Sequence, residues 1–146
     1  MPKGTTFPYV FWLRIVHGLK KKFKPLALLP YAFLRHYEYK YDIHANSNIH
    51  IGKGLLIVHG GALYLNCKEI GENFTVYQGV TLGSKRHEKK YADEIPSVGN
   101  TVSIYTGAIV CGDIMIGDNA VIGAHAYVSK NLKEGTKVIG NASIVV

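Results

Sequence analysis

A mainly β chain, coiled from six-residue repeats behind a short N-terminal helical segment, is predicted by three observations. Every sixth residue from Val98 through Ile104, Val110, Ile116 and Ile122 to Val128 is Val or Ile. The fourth residue after each is Val102, Ala108, Ile114, Ala120, Ala126 and Leu132, again small or apolar. Neither the 3.6-residue period of a helix nor the two-residue alternation of a strand produces that spacing. Composition agrees, with 16 Gly, many Val and Ile, and few helix-forming runs after residue 45.

Taken in order, residues 7–40 read as two short helical segments. Gly18 and the lysines that follow weaken the end of the first, Pro25 divides the two, and Pro30 sits where the second begins or kinks. Their aromatic and aliphatic residues beside Lys and Arg suit packing on the repeat body or on another subunit, and equally an interfacial helix; packing is the favoured reading. Arg14 and His17 interrupt the first apolar stretch and residues 25–34 are too few to span a bilayer, so neither a signal peptide nor a transmembrane helix is expected.

The repeat begins at Ala45, with Ile51, Ile57 and Leu63 leading successive hexads, slips by one residue near Cys67, and resumes at Ile70, Val76 and Leu82. About ten residues are then inserted before Val98. The expected division is a helical segment over 1–41 and a repeat domain over 42–146, with an inserted loop at about 84–96. If each hexad is a short strand plus a corner, three hexads close a triangular coil, and the thirteen hexads give a little over four coils. Gly71, Gly83, Gly99, Gly117 and Gly123 follow lead positions, where a corner needs a compact residue or unusual backbone angles. Each stacked Val or Ile contributes about 1.5–3 kcal/mol on burial, so the ladder itself supplies most of the stabilisation.

The formal charge of +7 gathers at Lys20, Lys21, Lys22 and Lys24 and again at Lys85, Arg86, Lys89 and Lys90. No DNA or RNA module accompanies these runs, so nucleic acid is not expected as a partner. Cys67 and Cys111 lie outside any C-x-x-C spacing; no disulfide framework or zinc site is indicated, and a cytoplasmic setting is expected.

The stretches I-G-K-G-L-L-I-V-H-G-G-A, I-G-E-N-F-T-V-Y-Q-G-V-T-L-G and I-G-D-N-A-V-I-G-A-H-A-Y-V-S-K resemble the hexapeptide-repeat acyltransferases, and within them the serine acetyltransferase branch, which also contains enzymes that acetylate sugars of surface polysaccharides. The resemblance covers about residues 40–146. It implies a left-handed parallel β-helix, an exception to the right-handed crossover rule. It also implies acetyl-CoA as cosubstrate, no metal, and a homotrimer with each active site between neighbouring subunits.

Moving an acetyl group from a thioester to an alcohol needs a base for the hydroxyl proton, and imidazole titrates near neutrality. His59, in V-H-G-G, matches the family's catalytic histidine, and neither cysteine lies in a nucleophile motif. Where the serine enzymes carry an aspartate upstream, this chain has His44; His44, Asp42 or a backbone carbonyl is left to orient His59. Val58 replaces an aspartate that holds the amino-acid acceptor, and Glu94 and Ile95 replace an arginine and a histidine. Countercharges for serine's ammonium and carboxylate are therefore missing at the matching places. A sugar hydroxyl in surface polysaccharide synthesis is accordingly the expected acceptor, with serine as the alternative and a non-catalytic binding solenoid as a third reading. Candidate acceptor contacts are Tyr77, Gln78, Arg86 and His87, with Tyr105 nearby in the repeat. By match to the family, Gly83, Gly107, Ala108, Ala126 and Lys130 are the positions for acetyl-CoA. A metal-dependent hydratase would need three converging histidines, and the spacing of His44 and His50 does not suit it. The basic, aromatic N-terminal segment suits peripheral contact with a membrane.

Overall fold

The computed structural model describes residues 6–22, 24–46, 49–86 and 94–140. Helix α1 (Phe7–Lys22) is followed by a 3-10 turn (Lys24–Ala27) that contains Pro25 and then by α2 (Leu28–Tyr41). Pro30 falls in the first turn of α2, where a missing N–H breaks no helical hydrogen bond. Asp42 ends α2 in the left-handed region (φ 49°, ψ 56°), its N–H donating to the carbonyls of Glu38 and Tyr39. That turn delivers the chain into the first strand.

Fourteen described strands form three parallel sheets. The first contains β1 (Ile43–Ala45), β4 (Leu63–Leu65), β7 (Thr81–Gly83), β10 (Ile109–Cys111) and β13 (Tyr127–Val128). The second contains β2 (His50–Ile51), β5 (Glu69–Ile70), β8 (Ser97–Val98) and β11 (Met115–Ile116), and the third β3 (Leu56–Ile57), β6 (Thr75–Val76), β9 (Ser103–Ile104), β12 (Val121–Ile122) and β14 (Lys137–Val138). The chain visits the sheets in rotation, so the architecture is the expected parallel β-helix. Ile57, Val76, Ile104, Ile122 and Val138 stack along one wall, and Ile51, Ile70, Val98, Ile116 and Leu132 along another. The small residues Ala108, Ala120 and Ala126 are buried between the walls.

Three details differ from the sequence expectation. The coils number about five rather than a little over four, because they run from Ile43 to Val138. Leu65, not Leu63, is in register with Leu82 and Val110, while Leu63 fills the inner position that Val80 and Ala108 fill in later coils. Eight residues thus separate the stacked Ile57 and Leu65 and only five separate Leu65 and Ile70, so the slip read near Cys67 begins with an enlarged corner at His59–Ala62. Both leucines are buried, and hydrophobicity alone could not tell them apart. Leu132, likewise, bridges to Ile116 as a wall residue four positions after Val128.

Of the glycines after wall residues, Gly71, Gly99, Gly117 and Gly123 serve close approach rather than unusual angles, whereas Gly83 adjoins open space. A Cβ on Gly71 would lie 2.6 Å from the backbone of Gly99 in the next coil, and Gly71 has no positive φ. No side chain fits there without parting the coils.

The helices cover the open end of the first coil. Arg14 donates to the carbonyls of Ile51 and Gly52, and Thr6 Oγ1 donates to that of Ile57 at 2.5 Å. Tyr9, Leu13, Val16 and Leu34 are buried in one cluster with the solenoid core. Burial pushes the Arg14 guanidinium below its ordinary pKa, consistent with its position against the coil end. Packing on the repeat body, the favoured reading of this segment, is what these contacts describe.

Candidate active site

The enlarged corner carries His59. The chain there must turn from the third sheet to the first with two residues more than a regular coil, and small residues allow it. A Cβ on Gly60 would sit 2.6 Å from the Tyr41 carbonyl oxygen, Gly61 adopts φ 118°, and Ala62 adopts φ 47°. A positive φ at alanine is strained unless its surroundings hold it. Asp42 supplies the hold: its Oδ2 accepts the Ala62 N–H at 2.7 Å. Its other oxygen lies 3.1 Å from His44 Nε2, and the His44 ring stacks on Tyr64 with centroids 4.8 Å apart.

Of the three catalytic candidates, the structure therefore joins Asp42 to His44 and connects Asp42 to His59 only through the backbone of the corner. The His59 imidazole is exposed and, among the described residues, makes no hydrogen bond within its own chain. Both ring nitrogens are open to a ligand or to a neighbouring subunit, so the ring can accept a proton from a hydroxyl brought to it.

Along this corner each coil contributes the next residues of a column. Backbone bonds from Val58 N–H to Val76 O (3.0 Å) and from Tyr77 N–H to Ile104 O (3.1 Å) align Val58, Tyr77 and Tyr105, which sets His59 beside Gln78 of the next coil. The two tyrosine rings stack at 4.9 Å. Gln78 lies beside Gly61, with its Oε1 buried and without a hydrogen-bond partner among the described residues. Tyr77 and Gln78 thus stand one coil from His59. Arg86 is exposed, and its N–H donates to Ser84 Oγ at 3.2 Å; His87 lies outside the described residues. Ile95 is buried and Glu94 half-buried.

The acetyl-CoA candidates divide. A Cβ on Gly83 would meet nothing within 4 Å, so open space adjoins it, and Lys130 is exposed. Gly107 (φ 68°) is covered by the His125 ring, which a Cβ would approach to 2.6 Å. Ala108 and Ala126 are buried in the solenoid. Their amides donate to Tyr105 O and Gly123 O, and their carbonyls accept from Thr81 and Ile109. Their small size is explained by the core.

The sequence placed Lys85 in a basic cluster but gave it no role in the site. Its chain crosses over Gly112 and its Nζ donates to the Ser129 carbonyl at 3.2 Å, tying the near end of the loop to the residue before Lys130. Only the coil register, which sets Gly83 against Cys111, brings these distant residues together. No cluster of three metal-ligating side chains occurs among the described residues; His44 lies on the first sheet and His50 on the second.

Residues 96–130 match the bacterial transferase hexapeptide family (six repeats). A serine acetyltransferase of Helicobacter pylori is 35% identical over 135 residues, covering 88% of this chain and 73% of that protein. The chain belongs to the serine acetyltransferase family of hexapeptide-repeat acyltransferases. A Staphylococcus aureus serine acetyltransferase is also 35% identical, over 86% of this chain and 58% of its own length. The crystal structure of Neisseria gonorrhoeae serine acetyltransferase in complex with serine superposes with a TM-score of 0.75 at 25% identity, over 95% of this chain. The soybean serine acetyltransferase apoenzyme gives 0.72 at 27% identity over 94%. The chain spans little more than half, 56%, of each of those two structures.

These relatives confirm the left-handed β-helix and overturn the expected sugar acceptor and its place in polysaccharide synthesis. That expectation rested on Val58, Glu94 and Ile95 lacking the charges that bind an amino acid. Ile95 is in fact buried, so its chemistry reports on packing, and the acceptor cannot be read from it.

Proposed function

We propose that this protein transfers an acetyl group from acetyl-CoA to the hydroxyl of serine, with His59 as general base. His59 takes the hydroxyl proton as the serine oxygen attacks the thioester carbonyl. The tetrahedral intermediate collapses with cleavage of the C–S bond, and the imidazolium returns the proton to the departing sulfur, giving O-acetylserine and free CoA. His59, exposed at the glycine-lined corner and without a hydrogen bond among the described residues, carries the assignment of the base. The choice of serine is supported by the likeness to serine acetyltransferases over 88% of the chain.

The working form is a homotrimer with the active site between subunits, which suits a histidine that makes no hydrogen bond among the described residues. The outer face of the first sheet supports it too, with Tyr64, Ile109 and Tyr127 between 43% and 63% exposed in the single chain. Acetyl-CoA lies along the open side of Gly83, with Lys130 toward its phosphates.

Release of CoA thiol with L-serine, amino sugars and hexoses as acceptors tests the reading. Turnover with serine is expected, falling by about 10²–10⁴-fold in His59→Ala. Light scattering should give the mass of three 16.1-kDa chains for both proteins. A serine rate no higher than hydrolysis in water, or an undiminished His59→Ala enzyme, would overturn the proposal.

A further inference from the structure

The chain's charge is divided unevenly. Of its 17 Lys and Arg, eight lie in residues 1–41, where Glu38 is the one acid; residues 42–146 hold nine of each sign. The whole net charge of +7 therefore belongs to the segment that caps the solenoid. Even Glu38 is buried and paired with Arg35 at 2.5 Å, so it offsets little of the field outside.

The same segment exposes apolar side chains. Phe7, Phe11 and Ile15 recur every fourth residue along α1 and are all exposed. Phe11 touches Trp12, which stacks on exposed Phe33 of α2 at 4.6 Å. Around the turn between the helices, Leu26, Leu28 and Leu29 are 60%, 77% and 70% exposed; with Tyr31 and Ala32 they line an open hollow of about 510 Å³. Lys20 Nζ sits 5.3 Å from the centre of the Tyr31 ring, at the edge of this hollow. The opposite side of the pair, with Leu13, Val16 and Leu34, is already committed to the core.

We infer that the helical pair is a docking surface for an anionic phospholipid bilayer. Leucine and phenylalanine side chains enter the headgroup boundary and the surrounding cations face acidic headgroups, the combination by which an amphipathic element lies in a membrane interface. None of the described helices is long and apolar enough to cross the bilayer, so the contact is peripheral. A second copy of this chain would bring one +7 segment against another; a lipid surface supplies the opposite charge.

Sedimentation of the protein with vesicles tests this independently of catalysis. Binding is expected to vesicles of phosphatidylcholine mixed with phosphatidylglycerol, to be weak on phosphatidylcholine alone, and to fall at least about tenfold when salt is raised to about 1 M, where the Debye length is near 3 Å. The double substitution Leu28→Ser, Leu29→Ser should lose vesicle binding while retaining its thermal melt and its rate with serine. Failure to bind anionic vesicles, equal binding to both lipid mixtures, or an unaffected double variant would each overturn the inference. So would a solution mass twice that of the trimer that reverts to the trimer in the double variant, because the face would then be covered by protein.

Discussion

Among the described residues Asp42 makes no hydrogen bond to His59, yet it holds the turn on which His59 stands. Its carboxylate accepts the N–H of Ala62, whose φ of 47° needs that support. Asp42→Ala is expected to lower kcat by about tenfold or more through misplacement of the imidazole, with KM for acetyl-CoA unchanged. Asp42→Asn keeps an oxygen for the Ala62 N–H and should retain most of the rate. Equal losses in both variants would mean that the negative charge, not the corner, is what matters. Cys67 carries a different expectation. Burial pushes its thiol up to about 12, whereas in an unfolded chain it ionises at about 8.5. Between those values the unfolded state loses a proton that the folded state keeps, so stability falls as pH rises through that window. The pH dependence of denaturant midpoints should flatten on this alkaline limb in Cys67→Ala, and a thiol reagent at pH 8 should modify native Cys67 far more slowly than unfolded Cys67.

Among the elements, strands were legible because their wall residues obey one spacing. From Val98 to Val128 every lead residue stacks where the period puts it. Legibility failed at Leu63 and Leu65, both apolar and both buried, where the two extra residues of the His59 corner shift the register. A period can announce a coil but cannot say which corner absorbs an insertion. The corner that carries His59 is marked in the sequence by Gly60 and Gly61; the Lys85–Ser129 tie depends on contacts between coils and left no local trace. Two glycines separate structural from functional smallness. Gly71→Ala places a methyl against the next coil's backbone and should destabilise by about 1–3 kcal/mol in chemical denaturation. Gly83→Ala meets open space, so its stability should be unchanged while KM for acetyl-CoA rises. A Gly83→Ala enzyme with unaltered KM would remove this position from the cosubstrate path.

At the scale of the whole molecule, fold and acceptor are recorded in different places. The fold is written in the repetition of branched aliphatics, dense enough to survive local irregularity. The proposed site sits where the repetition breaks, at the enlarged corner that exposes His59. An inference from Val58 and Ile95 pointed to the wrong acceptor because the buried Ile95 reports on packing. The basic charge was legible as two clusters, but its balance was not: the solenoid is neutral and the cap carries the excess.

The cap has one more consequence. A parallel coil stack ends on a row of carbonyl groups that any extended segment can pair with, and an open β edge of this kind is a template for uncontrolled growth. Arg14 and Thr6 occupy the carbonyls of Ile51, Gly52 and Ile57 from the side. They act as a stopper, closing the stack to addition of further strands and keeping a structure that could in principle extend without limit at a defined length.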